Sequence, residues 1–251
     1  MQKKITQAFI LCAGLGTRLR PLTEATPKVM LPISQNMPLL EHTIIWFREQ
    51  GINSFVLNLH FHPEKITSYL GNGEKFGVEI VYSDETDKLM ETGGAIKKAK
   101  HLLDDQFFLF YGDQLQFFDF MPLAQFHSSM CPLVTIVLKH SEFPRDADLA
   151  EIDPVTNKII NWYARPHGIE DYRDNVFANT GIYALSKKII DYIPEGEPAK
   201  LDGEIIPLLL RQNMPLYGFS TEEKILDIGS PEKYELAKKY YLEKTGAADR
   251  K

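Results

Sequence analysis

The sequence predicts an α/β fold, a single α/β/α sandwich around a mixed, mostly parallel sheet. Two observations carry this. Short apolar runs alternate with amphipathic segments of helical period through the first half of the chain. Such a β-α-β-α-β-α-β order requires crossover connections and hence parallel strands. The chain also has 251 residues, 44% hydrophobic and 25% charged, enough to bury a sizeable core, and no linker-like stretch divides it.

Element by element, residues 7–12 (QAFILC) read as a buried strand that runs into a glycine-rich loop. Residues 38–50 read as a helix with Leu40, Ile44 and Phe47 on one face and Gly51 as its stop. Residues 54–59 (SFVLNL) form a second strand, Pro63 to Leu70 a short helix ending in GNG, and 78–82 (VEIVY) a third strand. A helix over 93–103 precedes the fourth strand, 106–111 (QFFLFY). The second half is less regular. Strands are expected at 132–138, 149–152, 158–162 and 176–184, helices at 186–192 and 203–212, and strands near 215–219 and 225–228. The last helix opens with Ser230 as N-cap, Pro231 in the first turn and Glu232 beside the positive end of the helix dipole. The expected domain spans 1–243, with a frayed tail over 244–251.

The formal net charge of −6 argues against nucleic acid as a partner, because phosphate-backbone binders carry a basic face. It leaves room for one anionic small molecule in a local cationic pocket. The two cysteines, Cys12 and Cys131, read as buried free thiols of a reducing compartment. No apolar run approaches the ~18 residues of a membrane span. The opening MQKKITQAFILCAG reads as a first strand rather than a signal peptide, so a cytoplasmic location with no membrane partner is expected.

The chemistry concentrates in LCAGLGTRLRPLTEATPKVMLP, Leu11 to Pro32. The dinucleotide fingerprint G-x-G-x-x-G fails at Leu19, and no Gly-Lys-Ser/Thr follows to complete a P-loop. What remains is a glycine turn whose backbone N–H groups can face an anion, followed by Arg18 and Lys28. Arginine brings a planar fork for phosphate oxygens, lysine a compact point charge. Further on, FLFYGDQL ends an apolar strand in Gly112-Asp113, a carboxylate at the edge where parallel sheets bind ligands. His60 and His62 form an H-x-H pair with no third ligand nearby, so no zinc site is expected. Asp146 and Asp148 form a D-x-D that reads as a solvated loop.

The full pattern A-G-x-G-T-R-L-x-P-L-T-x-x-x-P-K-x-x-L-P resembles the signature of the sugar-phosphate nucleotidyltransferases, which join a sugar 1-phosphate to a nucleoside triphosphate and release pyrophosphate. The resemblance implies the Rossmann-like sheet of the nucleotide-diphospho-sugar transferases, with a nucleotide-binding half over about 1–115 and a sugar-binding half over about 116–243. It implies that Leu11, Ala13, Gly14, Gly16, Thr17 and Arg18 cradle the nucleotide while Arg18 and Lys28 hold the triphosphate. Four further segments match, so the likeness runs from residue 8 to about 242. Asp113 takes the place of a family Mg²⁺ ligand, and Asp227 in ILDIGSPEKY that of the second. Glu91, Thr92 and Gly93 in METGGAIKKA fall where the family contacts the nucleobase. Asn179 and Gly181 in NTGIYAL fall where it contacts the sugar, with Gly112 beside the sugar phosphate. One place departs: the family's Glu-Lys-Pro reads Ala164-Arg165-Pro166, so Arg165 would replace the lysine on the sugar phosphate, and Ala164 cannot make the glutamate's hydrogen bonds.

On this resemblance the catalytic residues are Arg18, Lys28 and Asp113, the cofactor is Mg²⁺ and the partners are a nucleoside triphosphate and a sugar 1-phosphate, with self-association carried over as a family habit. Glu91 is similar to the N-acetylmuramate 1-phosphate uridylyltransferases, while NTGIYAL, IPLLL and DIGSPEKY are similar to guanylyltransferases of mannose or heptose 1-phosphate. GTP with a manno-configured sugar is the leading expectation, for a role in nucleotide-sugar and cell-envelope polysaccharide synthesis. Uridylyl or thymidylyl transfer, cytidylyl transfer to an alcohol phosphate, and a catalytically silent nucleotide-sugar-binding regulator are the alternatives.

Overall fold

The structure is a computed structural model that describes residues 4–141, 144–171 and 173–246. In chain order its elements are β1 (Gln7–Leu11), β2 (Pro32–Ser34), β3 (Met37–Pro38), α1 (Leu39–Glu49), β4 (Ser54–Leu59), α2 (Pro63–Leu70), β5 (Glu79–Asp84), α3 (Glu91–Lys98) and β6 (Gln106–Tyr111). There follow β7 (Gln114–Leu115), α4 (Phe120–Met130), β8 (Val134–Lys139), β9 (Leu149–Ile152), β10 (Ile159–Tyr163) and β11 (Val176–Ser186). The chain closes with α5 (Ile206–Arg211), β12 (Leu216–Ser220), β13 (Leu226–Asp227) and α6 (Pro231–Thr245).

The main sheet runs β10-β9-β11-β6-β1-β4-β5, with β8 between β11 and β12. Its first half is parallel: β1 pairs with β4 and β6, and β4 with β5. The long β11 then runs antiparallel to β6, β8 and β9. Alternate side chains of each central strand enter opposite layers. Ala8, Ile10, Phe108 and Phe110 pack beneath α1, against Leu40, Ile44 and Phe47. Phe9, Phe107 and Leu109 pack against Ala95 and Ile96 of α3 on the other face. Strands covered on both faces are apolar at every position, which is why β1 and β6 read as continuous hydrophobic runs. A third cluster joins Leu19, Leu31 and Ile33 to Tyr234, Ala237, Tyr240 and Tyr241 of α6, and Tyr234 Oη donates to Pro32 O at 2.5 Å.

The structure departs from the sequence reading in local geometry. Helix α4 was not expected; Asp119 caps it by accepting from Met121 N at 2.9 Å. Helix α3 starts at Glu91, two residues before Gly93, and stops at Lys98. The segment after Ser186 is a 3₁₀ helix, and α5 is entered through a π turn over Leu201–Ile205. The expected tail splits: α6 continues to Thr245, and residues 247–251 lie outside those described. Among the described residues no helix is long and apolar enough to cross a membrane.

The reading of two buried thiols is corrected at one of them: Cys12 is buried and Cys131 is exposed, just beyond the end of α4. Burial, and then the charge of Asp113, pushes the Cys12 thiol far above its ordinary range, which suppresses the reactive thiolate. A thiol-specific reagent is therefore expected to label one cysteine per native chain and two after denaturation, and Cys131→Ser to abolish the native reaction. Native labelling that survives Cys131→Ser would show Cys12 to be accessible.

Candidate active site

In the sheet order, β4 and β5 lie to one side of β1 and β6 to the other. Such a reversal leaves a crevice at the carboxyl ends of the strands, where open α/β sheets take their ligands. Here a cavity of about 440 Å³ opens at that point, between the loop from Leu11 to Leu19, Lys28, Glu91 with Thr92, and Asp113.

The loop is pinned at both ends. Gly16 adopts φ 62°, a left-handed conformation that favours glycine, and a Cβ there would lie 3.1 Å from Thr23 Cγ2. Thr23 Oγ1 donates to Gly16 O at 2.7 Å and Leu19 N donates to the same oxygen at 2.9 Å. At its start, Cys12 N donates to Asn58 Oδ1 at 2.7 Å, and Asn58 Nδ2 donates to Glu85 Oε1 at 3.0 Å. Glu85 Oε2 accepts from Met90 N at 3.0 Å. Burial pushes the Glu85 carboxyl upward. This chain of bonds ties the glycine loop to the start of α3, and so fixes the two walls of the cleft against each other. The sequence reading missed it, although Asn58, a polar residue inside the apolar run SFVLNL, was the available signal.

Charge gathers at one end of the cleft. Lys28 Nζ and Asp113 Oδ2 form an ion pair at 2.5 Å. The short antiparallel pair β7–β13 brings the second carboxylate alongside: Asp227 pairs with Gln114, and Ile228 N donates to Asp113 O at 2.9 Å. Asp227 Oδ2 accepts from Lys233 Nζ at 2.7 Å and Oδ1 from Gly229 N at 2.9 Å. Burial pushes the Asp227 carboxyl up, but the Lys233 bond and charge, the Gly229 N–H and the charge of Lys28 together hold it below the ordinary value. Arg18 reaches the same corner, since a Cβ on Gly229 would lie 3.1 Å from Arg18 Nη2. Two carboxylates thus stand among Arg18, Lys28 and Lys233, with Lys139 also in the field of Asp227, a balance suited to a polyanion. The donor set also fits Mg²⁺, a hard cation held by one or two carboxylates while phosphates and water complete its shell. Among the described residues no group of three or more His, Cys, Asp or Glu could hold a metal ion by itself.

The remaining expected residues divide. Leu11, Ala13, Gly14, Gly16, Thr17, Arg18, Glu91 and Thr92 line the cleft. Gly93 does not; its N–H donates to Ala199 O at 2.7 Å, so it serves the packing of α3 on that segment. Gly112 sits where β6 meets β1, donating to Leu11 O at 3.1 Å. Arg165 lies outside the cleft lining, with its Nε 3.5 Å from Asp148 Oδ1, its backbone N donating to that oxygen at 2.8 Å and Nη1 donating to Asp146 O at 3.0 Å. The D-x-D is therefore no free loop: it anchors Arg165, and the Asp148 side chain is only 13% exposed. Asn179 Nδ2 donates to Tyr183 Oη at 2.6 Å, and Gly181 N donates to Asn179 Oδ1 at 2.9 Å. His60 and His62 are engaged separately, with Glu85 O and with Glu64.

A family model described as nucleotidyl transferase matches residues 7–244. A UTP–glucose-1-phosphate uridylyltransferase of Synechocystis sp. is 32% identical over 242 residues, 91% of this chain and 61% of its own length. A mannose-1-phosphate guanylyltransferase of Mycobacterium tuberculosis is 30% identical over 228 residues, 90% of this chain and 62% of its own. The chain thus spans less than two thirds of the length of these relatives. Among solved structures, HddC of Yersinia pseudotuberculosis complexed with GMP-PN superposes with TM-score 0.76 at 25% identity, over 94% of this chain and all of that one. A Bacillus anthracis structure described as a glucose-1-phosphate thymidylyltransferase gives TM-score 0.81 at 23% identity over 93% of this chain and 94% of that one, a likeness of fold.

Proposed function

Since the chain belongs to the nucleotidyl transferase family, we propose that it transfers a nucleotidyl group from a nucleoside triphosphate to a sugar 1-phosphate, giving a nucleotide sugar and pyrophosphate. The observation that carries this reading is the convergence of the glycine loop, Arg18, Lys28 and Asp113 on one cleft at the strand-order reversal, with Asp227 brought beside Asp113 by the β7–β13 pair.

A phosphate monoester is largely ionised at neutral pH, so the attacking oxygen needs no general base. The task is to hold two polyanions in line and offset the charge that develops at the α-phosphorus and on the departing pyrophosphate. The loop N–H groups orient the triphosphate, Arg18 and Lys28 stabilise its negative charge, and Arg165 draws in the phosphate of the sugar. Asp113 and Asp227 would hold Mg²⁺, which supplies charge neutralisation and polarisation of the phosphate oxygens. Lys28 and Lys233, which pair with these two carboxylates, bring positive charge to the same end of the cleft.

For the substrates, the reading favoured is GTP with a manno-configured sugar 1-phosphate. The mannose-1-phosphate guanylyltransferases among the relatives and HddC with GMP-PN support it. Uridylyl transfer stands second, supported by Glu91 in the cleft and by the Synechocystis uridylyltransferase. The test is pyrophosphate release, with and without Mg²⁺, over a grid of GTP, UTP, TTP, CTP and ATP against mannose, heptose, glucose, N-acetylglucosamine and N-acetylmuramate 1-phosphates. One dominant, Mg²⁺-dependent pair is expected. A blank grid from folded protein overturns the reading.

A further inference from the structure

Position 164 is alanine, so the segment that carries Arg165 brings no carboxylate of its own toward a sugar. A carboxylate does stand beside the cleft-lining Tyr111 and within the field of Arg165, on a different element. Asp202 lies in the π turn that opens α5, a helix irregularity often found at functional sites. Tyr111 Oη donates to its Oδ2 at 2.5 Å and Tyr183 Oη donates to its Oδ1 at 2.6 Å. Tyr111 lines the cleft. Tyr183 Oη accepts from Asn179 Nδ2. Trp162 Nε1 donates to the backbone oxygen of Asp202 at 2.8 Å, which fixes the turn itself. Residues of β6 and β11 thus converge on one side chain that is not fully buried, while β10 holds its backbone.

The bonding leaves capacity unused. An ionised carboxylate accepts about four hydrogen bonds, and each oxygen of Asp202 has one tyrosine hydroxyl. Burial pushes its pKa up to about 6, against the lowering effect of those two hydroxyls. A group that only clamped α5 would gain nothing from a charge its surroundings disfavour, since a neutral side chain of similar shape could hold both tyrosines. Held by two phenols, one of them that of the cleft-lining Tyr111, the carboxylate is instead a pre-organised acceptor for further hydroxyl groups.

We propose that Asp202 is a specificity-determining residue that accepts hydrogen bonds from ring hydroxyls of the sugar 1-phosphate, doing from the π turn what Ala164 cannot. Tyr111 and Tyr183 are positioning residues for it. The inference rests on the proposed nucleotidyl transfer, and it explains how one end of the cleft distinguishes sugars when Arg165 reads only their phosphate.

The experiment is Asp202→Asn in the full chain, assayed with the best substrate pair and with sugar 1-phosphates lacking one ring hydroxyl at a time. Loss of a charge-assisted hydrogen bond is expected to raise KM for the sugar 1-phosphate roughly tenfold or more. KM for the triphosphate and the melting temperature should hold. For the hydroxyl that Asp202 reads, the deoxy sugar should cost the wild type about as much, and cost Asp202→Asn nothing further. Tyr183→Phe, which leaves the carboxylate in place but looser, should raise the sugar KM by a smaller factor, and it serves if Asp202→Asn fails to fold. Equal deoxy penalties in wild type and variants would overturn the assignment while leaving nucleotidyl transfer standing. A wild type that turns over no sugar 1-phosphate would overturn both together.

Discussion

Replacing Asp113 or Lys28 by alanine is expected to lower kcat by at least ~10²–10³ while the native fold survives, the usual loss when a pre-organised charge contact to a transition state is removed. The two residues are each other's partner at 2.5 Å, on opposite walls of the charged end of the cleft. Their environments differ: the Lys28 side chain is 11% exposed and that of Asp113 is 34% exposed. Asp113→Ala leaves a mostly buried ammonium without its partner, whereas Lys28→Ala leaves a carboxylate that water can reach. The first variant should therefore lose more stability than the second, because an unpaired charge is costly in proportion to its burial. Both should lose kcat to a similar extent. Because the proposed reaction has both residues act on one phosphate chain, the double variant should fall well short of the product of the two losses. Steady-state kinetics with thermal melts separate these effects. Near-normal kcat in either single variant would remove Lys28 and Asp113 from the chemistry.

Gly112→Ala is expected to cost ~10² in kcat and a few degrees in melting temperature. A Cβ at this position would lie 2.8 Å from Leu11 O, and 3.1 Å from Ile10 Cγ2 and Val29 Cγ1. The obstructing atoms are backbone and core side chains, so the strand end must move rather than a flexible group. Overpacking of this kind costs typically ~1–3 kcal/mol, and in a chain of this size about 2–4 °C for each kcal/mol. The residue displaced with Gly112 is Asp113, and a shift of order 1 Å in a reacting group costs ~10² in rate. Gly14→Ala provides the contrast: a Cβ there meets nothing within 4 Å, so the melting temperature should be unchanged. Normal turnover in Gly112→Ala would mean that the close approach of β1 and β6 does not set the position of Asp113.

The strands that build the cleft were legible because both their faces are covered. β4 and β6 fall at the expected residues, and the glycine loop follows β1 as expected. Ser230 was legible as a cap for a chemical reason and accepts from Lys233 N at 3.3 Å. Where propensity and tertiary contact disagree, the sequence misleads. Gly93 and Gly94 look like a helix start, yet α3 begins at Glu91, where φ is 59°, and the N–H groups of Gly93 and Gly94 are both held by Ala199 O. Cys131 looks like its fellow thiol but ends a surface helix. Of the cleft lining, the glycine loop, Lys28, Glu91, Thr92 and Asp113 could be named from the sequence, whereas Gly93 and Arg165, from motifs of the same kind, lie outside it. Those that meet only through folding could not: Tyr111, Tyr183 and Asp202 are far apart in sequence and share no pattern, and neither Asp148 nor Lys233 announces which charge it will hold.

The β7–β13 pair has a consequence for the order of synthesis. The glycine loop, Lys28 and Asp113 lie in the first half of the chain, but Asp227 and helix α6, whose tyrosines back the loop at Leu19, Leu31 and Ile33, belong to its last stretch. A nascent chain that has emerged only through β12 can lay down the parallel half of the sheet and still lacks one of its two carboxylates and the support behind its phosphate loop. The arrangement that sets Asp227 beside Asp113 therefore forms only once β13 has been made and α6 has docked.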